Sequence, residues 1–329
     1  MPSIRRPRGR SPRLVCTLLC TGLIAPLVAW TSPALAAPRP QVSVRDGAQR
    51  GTSDQEIGIW ANSPQTEVSV RNPAGGFLRA TVRWRNVPKG AFLVSPEGVA
   101  DAPSREGTTL SSRLLVAGNS EARWKLDPNL KDDYSFVVSG GEIAALELAR
   151  RAGGVDFGLH LGNALKPLDK TLSALSQLPF PTYVVPGNRD RKQDYVARTG
   201  EVRREFAIGR DRFLVLDNAE DAKFSGAQRA WAAARLKAYR AEDARRVFVF
   251  MHWPMVDPRR GKNAAMYDRQ EIRALQALFR ENKVSAVFSS HIPIADISQR
   301  SGVDYYIAGP GHAMVVRTQG PSLSIRALP

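Results

Sequence analysis

From Tyr134 onward the chain alternates between short apolar runs and amphipathic segments, and this alternation restricts its fold more than any other feature. The runs Tyr134 to Ser139, Val155 to Leu161, Pro181 to Val185, Val247 to Met251 and Val284 to Ser289 predict strands. Between them, Glu142 to Arg151, Leu168 to Leu178, Ser225 to Ala241 and Asp268 to Glu281 have helical spacing. In Ser225 to Ala241, for example, Trp231, Leu236 and Tyr239 are placed to face a core. Arg203 to Ile208 and Arg212 to Asp217, separated by Gly209-Arg210-Asp211, predict a hairpin. Tyr305 to Ala308, Ala313 to Arg317 and Leu323 to Ile325 predict closing strands. Such an order implies an α/β layer architecture with a mostly parallel start and an antiparallel finish.

Upstream the pattern changes. Ile57 to Trp60, Val68 to Val70, Leu78 to Trp84, Ser112 to Val116 and Ala122 to Leu126 alternate with period two, with Asn, Pro and Gly between them. That is the pattern of antiparallel strands, and residues 56–130 are expected to form a small all-β sandwich of immunoglobulin or fibronectin type. Trp60, Trp84 and Trp124 read as core aromatics. Residues 37–55 are polar and carry Pro and Gly, which predicts a linker. The α/β part then occupies residues 131–329.

The first 36 residues read as a secretory signal peptide. Arg5, Arg6, Arg8, Arg10 and Arg13 precede an apolar run from Leu14 to Trp30, and Ala34-Leu35-Ala36 supplies small residues for cleavage. An exported protein, periplasmic or secreted, is expected. Both cysteines, Cys16 and Cys20, lie inside this segment, so the remainder can form neither a disulfide nor a thiolate metal site. The formal charge is +16, and removing the five leader arginines brings it to +11. The arginines are dispersed rather than blocked, which describes a basic surface attracted to anionic partners or an anionic envelope surface. No specific nucleic-acid partner is predicted, and nothing in the sequence addresses oligomeric state.

A polar or glycine residue follows each of the five central strands: Gly140, Asn163, Asn188, His252 and His291. Open α/β sheets place their ligand sites at these strand ends. The third of these stretches, Pro186-Gly187-Asn188-Arg189-Asp190, resembles the Gly-Asn-His-Asp signature of the calcineurin-like metallophosphoesterases. His252-Trp253-Pro254 resembles another of the family's motifs, and the ordered set from about Tyr134 to Met314 follows its pattern. The resemblance implies a layered β-sandwich flanked by helices. It also implies a two-metal site that clamps phosphate and generates the nucleophile for hydrolysis of phosphate esters.

Several of the implied positions have changed. The Asp-x-His motif falls on Gly140-Gly141-Glu142, and the Gly-Asp motif on Gly162-Asn163. Arg189 stands in place of the acid-base His, and the Gly-His-x-His motif reads Ser290-His291-Ile292-Pro293. The resemblance therefore leaves no residue in the catalytic acid-base role and dismantles the first metal position. Asn188, His252, His291 and Asn163 remain as ligand types for one divalent metal, manganese, zinc or iron, but contribute no anionic ligand. With Arg189 beside them, the reading favours no metal over one. His160 reads as a core residue, His312 as a turn residue and Asp190 as a brace of its loop.

Ser139-Gly140-Gly141-Glu142 also matches a capping box, with Ser139 and Glu142 satisfying the start of a helix. Such a turn, with the N–H groups of Gly140 and Gly141 and the guanidinium of Arg189, is expected to hold a phosphate-containing or other anionic ligand. Three functions follow from these readings. The first is an exported phosphoesterase-fold protein, catalytically impaired, that acts by binding. The second is an active phosphoesterase with a reduced metal site, in which Glu142 could add a carboxylate. The third is a structural envelope protein whose basic surface does the work.

Overall fold

The computed structural model describes residues 39–53, 55–95, 99–100, 103–141, 144–151, 153–163 and 167–328. The expected leader and Glu142 lie outside the described residues.

Ten strands precede the α/β part. They are β1 (Gln41–Arg45), β2 (Gly47–Thr52), β3 (Glu56–Ala61), β4 (Glu67–Asn72), β5 (Leu78–Arg85), β6 (Phe92–Val94), β7 (Val99–Ala100), β8 (Ser104–Glu106), β9 (Thr109–Val116) and β10 (Ser120–Asp127). They form one sheet in the order β1-β4-β10-β6 and another in the order β2-β3-β5-β9-β7, with β8 on β9. The period-two pattern explains the packing. In β5, Ala80, Val82 and Trp84 are buried while the intervening Thr81 and Arg83 are not. Val68, Val70, Trp84 and Trp124 meet in one core.

The stretch expected as a linker is instead β1 and β2. β1 pairs with β4 from Gln41↔Arg71 to Arg45↔Glu67, and β2 pairs with β3. Val42 and Val44 alternate with polar residues and pack against the sandwich core, a short apolar period that the flanking Pro and Gly conceal in the sequence.

The α/β part contains β11 (Tyr134–Ser139), α1 (Ala144–Arg151), β12 (Phe157–His160), α2 (Leu168–Leu175), β13 (Thr182–Val184), α3 (Lys192–Thr199), β14 (Arg204–Ile208), β15 (Asp211–Val215), α4 (Gly226–Ala241) and β16 (Arg246–Phe250). It continues through α5 (Arg269–Glu281), β17 (Ala286–Ser289), β18 (Ala295–Arg300), β19 (Val303–Ala308), β20 (Ala313–Gln319) and β21 (Ser322–Ala327). Two sheets result, β13-β12-β11-β20-β21 and β14-β15-β16-β17-β19-β18. β13, β12 and β11 are parallel, as are β15, β16, β17 and β19, while β20, β21, β14 and β18 add antiparallel edges.

The two sheets pack face to face on a largely aromatic core that includes Phe136, Phe157, Phe213, Phe248, Phe250 and Phe288. Both faces of β11 are covered. Phe136 and Val138 point between the sheets, and Val137 joins Leu172, Leu175 and Tyr195 on the other side. Leu236, Tyr239, Leu275 and Phe279, on α4 and α5, cover the outer face of the second sheet. Ser225 caps α4 by accepting from the Gln228 N–H, and Asp268 caps α5 by accepting from the N–H groups of Gln270 and Glu271. Trp84 and Trp124 lie within the sandwich, whereas Trp60 packs with Leu172, Val184 and Tyr195 of the α/β part.

Helix α3 and edge strand β18 have no counterpart in the sequence expectation. Among the eight residues of α3 only Tyr195 and Thr199 are buried, too few to mark a period. β18 alternates only from exposed to half-buried.

Candidate active site

The ends of β11, β12 and β13 in one sheet, and of β16 and β17 in the other, converge at the same edge of the molecule. The β16–β17 pairing extends past both strands, since the Ser290 N–H donates to the His252 carbonyl at 2.9 Å. On the opposite sheet, the N–H of Leu161 donates to the Ser139 carbonyl and that of Val185 to the His160 carbonyl. These continuations bring the loops carrying Asn163, Asn188, His252 and His291 together.

His252 is the hub. It is fully buried, and its Nδ1 lies 2.7 Å from the carbonyl of Leu161, across the gap between the sheets. A carbonyl accepts only, so Nδ1 carries the proton and Nε2 presents a lone pair. Around Nε2 stand Asn188 Oδ1 at 2.9 Å, Asn163 Nδ2 at 3.0 Å and His291 Nδ1 at 3.2 Å. Burial holds the His252 imidazole down at about 3, with the Leu161 carbonyl acting in the opposite direction and the His291 ring adding to the depression. Burial also lowers His291 to about 4, assisted by the positive charges of Arg189 and Arg259. Both rings are neutral at physiological pH. His291 has a left-handed backbone, with φ of 62°, and its ring lies tilted by 30° against Trp253 with centroids 3.3 Å apart.

Asn163 decides the chemistry of this cluster. Its Oδ1 accepts from the Arg189 N–H at 2.8 Å, which orients the amide. Nδ2 therefore faces inward, 2.6 Å from Asn188 Oδ1 and 3.0 Å from His252 Nε2. The amide has two N–H bonds and meets two lone-pair acceptors with them. Gly187 permits this approach, because a β-carbon there would collide with Asn163 Oδ1. Asp190 braces both loops, its Oδ2 accepting from the Gly187 N–H at 2.8 Å and the Asn163 N–H at 3.3 Å.

The Gly140 position of the first motif is closed. Gly140 is buried, and a β-carbon on it would overlap the Ser290 hydroxyl and the Ala308 carbonyl. The Ser290 hydroxyl has no hydrogen-bond partner among the described residues. Pro293 is exposed and offers no donor atom to a metal. A dinuclear centre of the type the fold implies does not fit these residues. One position has no side chain and no room for one, and the bridging position presents amide hydrogens instead of carboxylate oxygens. No group of three or more His, Cys, Asp or Glu able to hold a metal occurs among the described residues.

The expected anion turn is corrected. Gly141 is buried, and its N–H donates to the Gly162 carbonyl at 3.2 Å, so it is not presented to a ligand. Pro310 packs on Gly141 and forms a backbone bridge with Gly140. The Ser139 hydroxyl lies at the end of β11, 3.2 Å from His160 Nδ1, and the Glu142 half of the box lies outside the described residues. Of the expected anion-binding residues, Arg189 keeps an exposed side chain, with no ion pair among the described residues. His160 is fully buried, and burial alone lowers it to about 4. His312 is half-buried in its turn, its N–H donating to the Gly309 carbonyl.

Sequence reasoning missed Asn218. This buried residue follows β15, accepts from the N–H groups of His252 and Trp253 at 3.0 Å each, and donates to the Trp253 carbonyl at 2.9 Å. It thereby fixes the backbone that carries the hub histidine. Its signal was its place just past a strand, the same mark as the other five.

The chain matches no protein-family profile and no curated protein. Solved structures do resemble it. A purple acid phosphatase from yellow lupin (Lupinus luteus) seeds superposes with a TM-score of 0.51 and 11% identity, covering 88% of this chain and 72% of that one. A dimetal phosphatase from Danio rerio aligns with a TM-score of 0.46 and 12% identity, covering 59% of this chain and 98% of that one. The two face-to-face sheets, their helical flanks and the strand-end loops give this chain the fold of the calcineurin-like metallophosphoesterases.

Proposed function

We propose that this chain is an exported, catalytically impaired member of the phosphoesterase fold that binds a phosphate-containing or other oxyanionic ligand without a metal centre. The observation that carries the reading is the amide of Asn163, whose NH2 meets the lone pairs of Asn188 and His252 that a cation would otherwise meet. The closed position at Gly140 and Ser290 supports it. Arg189 supplies the attraction for an anion. Its charge reaches both His252 and His291, and a guanidinium suits the geometry of an oxyanion. The neutral imidazoles leave that attraction undiminished without adding a charge that would be lost near neutral pH.

Two measurements on the purified protein test this. Metal analysis is expected to find none, with no manganese-dependent hydrolysis of an aryl phosphate ester. Phosphate titrations are expected to show binding that Arg189→Ala weakens at least about tenfold, as for a lost charge-assisted pair. Two equivalents of metal per chain, or equal negligible phosphate binding by both proteins, would overturn the reading. Export is tested by N-terminal sequencing of the mature protein, expected to begin at Ala37.

One observation favours a second reading, a phosphoesterase with a single metal. Asn188 Oδ1, His252 Nε2 and His291 Nδ1 converge, and the Leu161 carbonyl accepts from the other ring nitrogen of His252, as such a carbonyl does for a metal-binding ring. These three residues would hold the ion, which would polarise a bound phosphate. Manganese-dependent turnover that His252→Ala abolishes would establish this reading in place of the first.

A further inference from the structure

Strand β13 forms one edge of its sheet, and an edge strand leaves the N–H and C=O groups of alternate residues without a ladder partner. Here two asparagine side chains from the β-sandwich fill that role. Asn62 Oδ1 accepts from the Val184 N–H at 2.7 Å, and its Nδ2 donates at 3.3 Å to the Val184 carbonyl, which also accepts from the Tyr195 hydroxyl and from Arg204 Nη2, each at 2.5 Å. Asn86 Oδ1 accepts from the Thr182 N–H at 2.8 Å, and its Nδ2 donates to the Thr182 carbonyl at 2.9 Å. A side-chain amide has the donor and acceptor of a peptide group, so each asparagine substitutes for one rung of a neighbouring strand.

The two residues are held in register by the sandwich itself. They follow the ends of β3 and β5, which pair in parallel with Trp60 opposite Arg85. Asn86 Nδ2 also donates to the Ala61 carbonyl at 2.7 Å, tying the two strand ends together. Both asparagines are fully buried, and Trp60 packs beside them against Val184 and Tyr195. Three residues after Val184, the chain reaches Gly187, Asn188 and Arg189.

We infer that Asn62 and Asn86 are positioning residues for the candidate site, and that the β-sandwich serves as a fixed clamp on the strand that presents Asn188 and Arg189. The placement of Asn188 Oδ1 and the Arg189 N–H relative to Asn163 then depends in part on a domain with no residue in the site, alongside Tyr195 and Arg204, which also hold Val184. The inference rests on the proposed role of the site only for its ligand readout. Its structural readout needs no ligand.

The test uses amide hydrogen exchange on the full chain, comparing Asn86→Ala and Asn62→Ser with Val82→Ala. The last opens a cavity in the sandwich core without touching β13. Asn62→Ser buries no charge and is too short to reach both the Val184 N–H and its carbonyl, so it serves if an alanine variant fails to fold. Exchange of the Gly187 and Arg189 amides is expected to quicken at least about tenfold in both asparagine variants relative to Val82→Ala, the size of one lost buried hydrogen bond. Phosphate affinity is expected to fall in the same two variants and to hold in Val82→Ala. Loop protection equal to that of Val82→Ala would overturn the inference. Lost protection with no phosphate binding even in wild type would sustain the clamp and sink the proposed ligand.

Discussion

The Ser290 hydroxyl stands where a β-carbon on Gly140 would go. One strand end has given up its side chain and the facing one fills the space, so the two positions are sterically linked. Gly140→Asp is expected to destabilise the protein by about 3 kcal/mol or more, from overpacking and an unpaired buried carboxylate. At about 2.1 cal/mol/K per residue over a chain of this size, that lowers Tm by about 5 °C or more. Adding Ser290→Gly should recover part of the loss but not all, because the Ala308 carbonyl crowds the same position. Calorimetry of the single and double variants measures the coupling.

The inward amide of Asn163 makes a second prediction. Asn163→Asp replaces a donor to Asn188 Oδ1 and His252 Nε2 with a second acceptor. The metal-free variant should lose about 1–3 kcal/mol. Zinc or manganese at a hundredfold excess over its Kd should then restore about 2.7 kcal/mol by binding the folded state. Thermal melts with and without metal are expected to coincide for wild type and to separate for Asn163→Asp.

Stability should fall in mild acid. His160 and His252 are lowered to about 4 and about 3 by burial, below the value of about 6.5 for an unfolded chain. Below pH 6.5 the unfolded state binds protons that the folded state refuses. The neutral rings therefore contribute their full stability above that pH and lose it as pH falls toward the folded values. Each fully depressed ring gives a slope of about 1.4 kcal/mol per pH unit within the window. Urea midpoints between pH 7 and pH 4 should decline, and His160→Phe should make the decline shallower by roughly one ring's share.

At the opposite end of the strands, Asp211 is fully buried and accepts from Arg245 Nε at 2.9 Å, Arg246 at 2.9 Å and the Tyr134 hydroxyl at 2.6 Å. Burial and then the Asp211 charge raise the Tyr134 phenol far above its usual range, so it stays a donor. Asp211→Ala leaves the buried Arg246 without a counter-charge, while Arg245 keeps Asp132 at 3.3 Å, and is expected to cost about 3–5 kcal/mol. Urea unfolding measures this, and phosphate binding by the folded fraction should remain at the wild-type level, since the network lies away from the strand-end loops.

Much of this was legible in the sequence. The runs Tyr134 to Ser139 and Val247 to Met251 became β11 and β16 because strands covered on both faces are written as near-continuous apolar text. The polar residues that follow them entered one cluster because parallel strands end at the same edge of a sheet. β1 and β2 were hidden by flanking Pro and Gly, and α3 by its scant burial. Asn62 and Asn86 read as turn residues, since an asparagine between two strands ordinarily is one.

The sequence by itself determined the order of strand ends, and through it the fold and the residues that would meet. Only the tertiary structure decided what they do on meeting. An asparagine side chain is donor at one atom and acceptor at the next, and nothing local to Asn163 selects which faces inward. The Arg189 N–H, brought from another strand, holds the oxygen and turns the NH2 toward His252. The same chemistry in Asn62 and Asn86, set against the open edge of β13, turns two apparent turn residues into rungs of the sheet that carries the site.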